Sequence, residues 1–200
     1  MTDIIYHKLK KILINGGFIR VRDAQKKGIH HEYLRRLVND GQLVRVDRGM
    51  YRLTNAKQSK GYSYAQVSKK YPRGVICLLS ALRFHEFTTQ LPWQVWMAID
   101  EKTRLPKSGS VSMKFVRFSG KAFTEGVVVH EVDGVKVRVY NPAKTVADCF
   151  KFRNKIGLDV AMEALKEGRR FRKFTADELS KYARINRVLN VMMPYMEAIF

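Results

Sequence analysis

The chain has 200 residues, 46% of them hydrophobic and 11% aromatic, which is globular composition and excludes a disordered polyelectrolyte. Its 38 Lys+Arg against 18 Asp+Glu give a net charge of +20, so the expected partners are polyanions or acidic surfaces. No run approaches the roughly 20 apolar residues of a membrane span, and the opening "MTDIIYHKLKK" lacks the apolar core of a signal peptide. The expectation is a soluble, cytoplasmic protein with no membrane partner.

In "DIIYHKLKKILINGG", Ile4, Ile5, Leu9, Ile12 and Leu13 recur at helical spacing, and Gly16-Gly17 end the helix. "VRDAQKKG" reads as a short helix stopped by Gly28. A third helix runs from His30 or His31 to Asn39, before Gly41. "QLVRV" and "MYRL" then read as two strands joined by "DRG", where Gly49 supplies the turn. Helix, helix, turn, helix and hairpin in this order predict a winged helix-turn-helix over residues 1–60.

Polar "TNAKQSKG" leads into a second unit, expected over residues 61–200. "YSYAQVSKKY" reads as a helix and "PRGVICLLSALRFHEF" as a more buried one. "QVWMAID" and "VSMKFVRF" read as strands, and "GVVVHEV" and "VKVRVY" form a hairpin through Asp133-Gly134. "PAKTVADCFKF", "GLDVAMEALKEG" and "TADELSKYARINRVLNVM" close the chain as helices, the last with the capping box Thr175-x-x-Glu178. The fold class is α+β, the second unit carrying a small antiparallel sheet and C-terminal helices. Cys77 and Cys149 lie in apolar surroundings and read as buried free thiols.

A turn of 100° per residue places Tyr33, Leu34, Leu37 and Val38 on the core face of the third helix. Glu32, Arg35, Arg36 and Asn39 occupy the opposite arc, with His31 at its edge. Bases are read mainly from the N-terminal part of such a helix, so His31, Glu32, Arg35 and Arg36 are the candidates for base contact. Arg45, Arg48 and Arg52 lie on the wing, with Arg48 at its tip, and are assigned to the minor groove or flanking phosphates. Any surface helix has a charged outer arc; the basic wing beside this one favours DNA.

"GGFIRVRDAQKKGIHHEYLRRLVNDGQLVRVDRGMYRL" resembles the N-terminal winged helix of AbiEi-like antitoxins of type IV toxin–antitoxin systems. The family pattern "L…G.L.R..RG.Y" is matched by Leu37, Gly41, Leu43, Arg45, Arg48, Gly49 and Tyr51. "VICLLSALRFHEFTTQLP" and "VRVYNPAKTVADCF" resemble parts of the family's second domain. The resemblance implies a transcriptional autorepressor that binds inverted repeats in its own promoter. It also implies neutralisation of a nucleotidyltransferase-like toxin encoded by the adjacent gene.

Other constellations are weaker. Lys144, Thr145 and Asp148 in "YNPAKTVADCF" could form a polar cluster for a partner, although Asn141 as cap and Pro142 at the first helical position explain the segment structurally. "KEGRRFRKF" offers Lys166, Arg169, Arg170, Arg172 and Lys173, interleaved with Phe171 and Phe174, for a DNA backbone or a partner. Neither Glu131, Asp133 and Lys136 nor the consecutive Asp100, Glu101 and Lys102 has nuclease spacing. No phosphate-binding glycine motif, nucleophile elbow or metal-ligand spacing occurs, so catalysis, a metal and a cofactor are not expected. The alternatives to a repressor–antitoxin are a regulator whose second unit senses a small molecule, and an RNA-binding factor using the same charge.

Overall fold

Helix α1 (Thr2–Leu13) turns Leu9 and Leu13 into a core completed by Ile19, Ala24, Ile29, Leu34, Leu37 and Leu43. The structure is a computed structural model that describes residues 2–13, 17–105 and 109–200. The expected stop at Gly16-Gly17 falls partly outside the described residues; α1 ends at Leu13. After it come β1 (Ile19–Arg20), α2 (Val21–Gln25), α3 (His31–Asn39), β2 (Leu43–Asp47) and β3 (Met50–Leu53). The strands form an antiparallel sheet in the order β1-β3-β2. The sequence reading missed β1, whose two residues are too few to show a period.

Gly41, at φ +71°, ends α3: its amide donates to the Val38 carbonyl at 3.0 Å, and the Gln42 amide to Leu37 at 2.9 Å. Both bonds of a Schellman motif are present, and only glycine adopts that backbone without cost. The chain therefore reverses directly from α3 into the wing.

The chain divides into two compact units, the first comprising Met1–Pro72, Lys107–Val111 and Glu131–Val137. Helix α4 (Tyr62–Lys70) thus groups with the winged helix, although the sequence boundary was drawn before it. Its Lys69 and Lys70 pair with Asp23 and Asp47, contacts that linear patterning does not reveal.

The second unit comprises Arg73–Pro106, Ser112–His130 and Arg138–Phe200. The larger sheet is made of β4 (Val75–Ile76), β5 (Val95–Asp100), β6 (Met113–Phe118), β7 (Val127–Val132) and β8 (Val135–Tyr140), ordered β6-β5-β4-β8-β7, with residues 131–137 of the last two strands grouping with the first unit. The sheet is mixed rather than antiparallel: β4 runs antiparallel to β5, whereas β5–β6 and β4–β8 are parallel. The hairpin at Asp133-Gly134 is present, with φ of +48° and +67° at its two turn residues. A hairpin motif fixes only its own two strands, so the other pairings were open.

The segment expected as one buried helix begins instead with β4 and continues as α5 (Leu78–Phe84). Short apolar runs do not distinguish a buried strand from a helix by period alone. Helix α6 (Gly120–Thr124) follows β6. Helices α7 (Pro142–Lys151), α8 (Arg153–Ile156), α9 (Leu158–Arg170), α10 (Ala176–Ile185) and α11 (Leu189–Ile199) complete the unit. The single helix expected from Thr175 onward is broken at Asn186-Arg187, where Arg187 has φ +59°.

Asn141 accepts a hydrogen bond from the Lys144 amide at 2.8 Å and Pro142 opens α7, as the sequence indicates. The capping box at Thr175 and Glu178 is also formed. Helix α7 packs against α5, α9 and α10, and residues Ala143 to Phe150 are buried. Cys77 and Cys149 are both buried and free. Among the described residues, no helix is long and apolar enough to cross a membrane.

Candidate nucleic-acid interface

Helix α3 is amphipathic in the sense its sequence requires. Leu34 and Leu37 are buried, Tyr33 and Val38 are half-buried, and His31, Arg35, Arg36 and Asn39 are exposed. His30 is the N-cap, its Nδ1 accepting from the Glu32 amide at 3.3 Å, so His31 is the first helical residue. Glu32 is half-buried and lies 3.9 Å from the Arg35 guanidinium, whose side chain is 73% exposed. An ion pair of that length and exposure breaks at little cost, leaving Arg35 available to a base or phosphate. The Arg36 guanidinium lies 5.6 Å from the Tyr33 ring centre, which holds it along the helix.

The wing is a tight β2–β3 hairpin. Arg48 is exposed, and Gly49 takes the positive φ of +67° that the turn demands. Arg45 is exposed on β2, its Nε donating to the Asp47 carbonyl at 3.4 Å. The ladder slips between Arg45 and Asp47, a bulge that twists the strand next to the tip.

Arg52 departs from its assignment. Only 9% of it is exposed; Nη1 donates to the Ala56 carbonyl at 2.8 Å, and the guanidinium lies 5.2 Å from the Tyr62 ring centre. On β3 the inward positions are Met50 and Arg52, so strand alternation turns this cation away from any groove. It supports the wing instead of contacting DNA.

Sequence reading also missed what fastens the wing. Asp47 Oδ1 accepts from the Arg48 amide at 2.6 Å, and its Oδ2 accepts from Lys70 Nζ at 2.7 Å. Burial alone would raise the Asp47 carboxyl; the Lys70 ammonium and the Arg48 amide outweigh it and hold the group below its ordinary range. Gln66 Nε2 donates to the Val46 carbonyl at 3.3 Å and to Ser110 Oγ at 2.8 Å. Gly109 sits so close that an added Cβ would collide with both Lys70 Nζ and Asp47 Oδ2. Residues so far apart in the chain leave no local signal.

Lys144 is fully buried, its ammonium bound to Asp148 and lying 4.2 Å from the Tyr140 ring centre. It is therefore withdrawn from the surface set, because a cation enclosed in the core cannot reach a phosphate or a partner. Thr145 is equally buried and donates to the Tyr140 carbonyl at 3.1 Å. Arg169, Arg170, Arg172 and Lys173 are all exposed at the end of α9 and in the turn after it. Arg170 lies 3.5 Å from Glu167, and Arg169 lies 5.0 Å from the Phe200 ring centre. Phe174 anchors the turn by packing over Gly168, whereas Phe171 is half exposed.

No curated protein matches the chain. The crystal structure of the RV2827C protein from Mycobacterium tuberculosis is similar, with a TM-score of 0.61 and 12% identity over 88% of this chain and 71% of that one. At that identity the likeness is one of fold alone. Residues 7–54 match the family described as "Transcriptional regulator, AbiEi antitoxin", a span that holds α3 and the whole wing. Over that segment the chain is similar to the AbiEi antitoxin family of transcriptional regulators.

Proposed function

We propose that this protein is a DNA-binding autorepressor and the antitoxin of a type IV toxin–antitoxin pair. The observation that carries the reading is the conjunction of two exposed basic elements in the matched segment. Arg35 and Arg36 lie on the outer arc of α3, and Arg48 lies at the tip of the wing. A helix of this width enters a major groove, and a basic tip reaches the adjacent backbone or minor groove.

Recognition is divided between these parts. His31, Glu32, Arg35 and Arg36 read base edges, while Arg45 and Arg48 hold phosphates and set register. Two copies occupy inverted half-sites in the protein's own promoter, since each copy presents one helix. Residues 61–200 serve neutralisation of a nucleotidyltransferase-like toxin from the adjacent gene. The role is binding, not catalysis.

Footprinting of full-length protein on its own promoter tests the first part. Two protected half-sites about one helical turn apart, or a multiple of it, are expected. An unprotected promoter would overturn the autorepressor reading. Co-expression with the neighbouring gene product tests the second: growth is restored if the chain is its antitoxin, and unrestored growth reduces the protein to a regulator.

A further inference from the structure

Within the second unit, the end of α5, strand β7, the start of α7 and the turn after α9 line an open cleft of about 340 Å³. Phe84, Val128 and Pro142 supply its apolar wall, and His85, Glu86 and Lys173 its polar groups. An apolar wall with a few convergent polar groups is the usual make-up of a small-molecule site.

His85 presents an acceptor to this cleft. Its Nε2 donates to the Tyr140 carbonyl at 2.7 Å. A carbonyl carries no proton, so Nε2 holds the ring hydrogen and Nδ1 keeps a lone pair. Nδ1 has no partner among the described residues and, unlike the enclosed His130 Nε2, retains accessible surface. Burial lowers the His85 imidazolium, and His130 and Lys173 lower it further against the opposing Tyr140 bond, so the acceptor persists at neutral pH.

Glu86 is a second acceptor, and its backbone is strained. Its amide donates to the Arg83 carbonyl at 3.2 Å and the Phe87 amide to Leu82 at 2.9 Å, with φ +62° at Glu86. That is the Schellman ending seen at Gly41, and Gly28 ends α2 in the same way. Glycine adopts this backbone freely, whereas a glutamate meets steric resistance in it. Strain kept at an exposed side chain points to a use for that side chain. Glu86 and Lys173 are both exposed, and among the described residues neither forms an ion pair.

We infer that this cleft binds a free apolar α-amino acid. The ligand ammonium donates to Glu86 and to His85 Nδ1, its carboxylate accepts from Lys173, and its side chain packs on Phe84, Val128 and Pro142. A phosphodiester of a DNA backbone satisfies Lys173 alone, because it has no proton for Nδ1 and is repelled by Glu86. A simple amine has no group for Lys173, and a simple acid has none for Glu86.

Calorimetric titration of the full-length protein with leucine, isoamylamine and isocaproate tests the inference. Leucine is expected to bind about tenfold more tightly than the amine or the acid, each of which lacks one of its charges. Glu86→Gln should weaken leucine about tenfold and abolish its advantage over isocaproate. Lys173→Met should weaken it about as much and abolish its advantage over isoamylamine. Both positions are exposed, so both variants should fold. Glu86→Gly separates binding from structure: relief of strain should leave the unfolding midpoint at or above the parent's, while leucine affinity falls about tenfold. A midpoint that falls together with affinity makes Glu86 structural, and the inference is then wrong. No heat from leucine, methionine or phenylalanine at millimolar concentration overturns the site, as does binding that Glu86→Gln and Lys173→Met leave unchanged. None of these titrations uses the promoter or the neighbouring gene product, so they stand or fall separately from the proposed function.

Discussion

Helices α3 and α7 are close in length and both carry cations, yet they place them oppositely. On α3 the arginines at 35 and 36 face solvent, and the apolar residues alone enter the core. On α7 the core takes Lys144, Thr145 and Asp148 together with the apolar residues. The difference lies in the neighbours. Helix α3 has one buried face, whereas α7 is enclosed by α5, α9 and α10. A helix enclosed on several sides must satisfy its polar groups internally. Lys144 does so through Asp148 Oδ1, which also accepts from Asn186, while Asp148 Oδ2 is left without a partner among the described residues. Charge in a sequence is therefore evidence of a binding surface only when the helix that bears it has a free side.

The comparison is broken most severely at Lys144. Lys144→Met leaves the Asp148 carboxylate buried without its cation and should cost about 3–5 kcal/mol in denaturant unfolding. Adding Asp148→Leu should recover much of that loss, because an apolar pair of similar volume needs no partner. A single variant that unfolds like the parent would mean that Lys144 reaches water.

The equivalent changes on α3 should act on binding and leave folding intact. Arg35→Ala or Arg36→Ala should cost about 1–3 kcal/mol in promoter affinity and relax preference at one base position. Their unfolding midpoints should match the parent. Competition binding with operator variants, beside thermal melts, checks both halves.

At the wing tip the effect should be smaller and different in kind. Arg48→Ala should weaken specific and random duplexes alike and flatten the salt dependence by about one unit, the signature of a single phosphate. Lys70→Met should lower affinity only about threefold. That loss should vanish in the Arg48→Ala background, because Lys70 acts through the Asp47 bond to the Arg48 amide. Additive losses would make Lys70 a direct phosphate contact.

Acid is the mildest probe. The folded Asp47 carboxyl lies below its ordinary range, so its stabilising contribution is present above the unfolded carboxylate pKa. It is lost as pH falls through the folded value. Asp47→Asn should therefore flatten the acid limb of a stability–pH curve, and a limb unchanged by the substitution would show that the bond is not formed in solution.

By itself the sequence determined the elements whose cause is local. The 3.6-residue spacing of α3, its ending at Gly41, the wing turn at Gly49, the Asp133-Gly134 hairpin and the caps at Asn141 and Thr175 all rest on neighbours within a few residues. The exposed arc of α3 and the wing tip were legible for the same reason. What depends on contact between distant segments was decided only in the folded chain. The parallel pairing of β5 with β6, the two-residue β4, and the addition of α4 to the winged helix are of this kind. So is the fate of individual cations. Arg52 and Arg48 belong to the same hairpin and look alike in sequence, but Arg52 is enclosed by Tyr62 and the Ala56 carbonyl while Arg48 is exposed. Periodicity tells which residues share a face of an element; only packing tells whether another element covers that face.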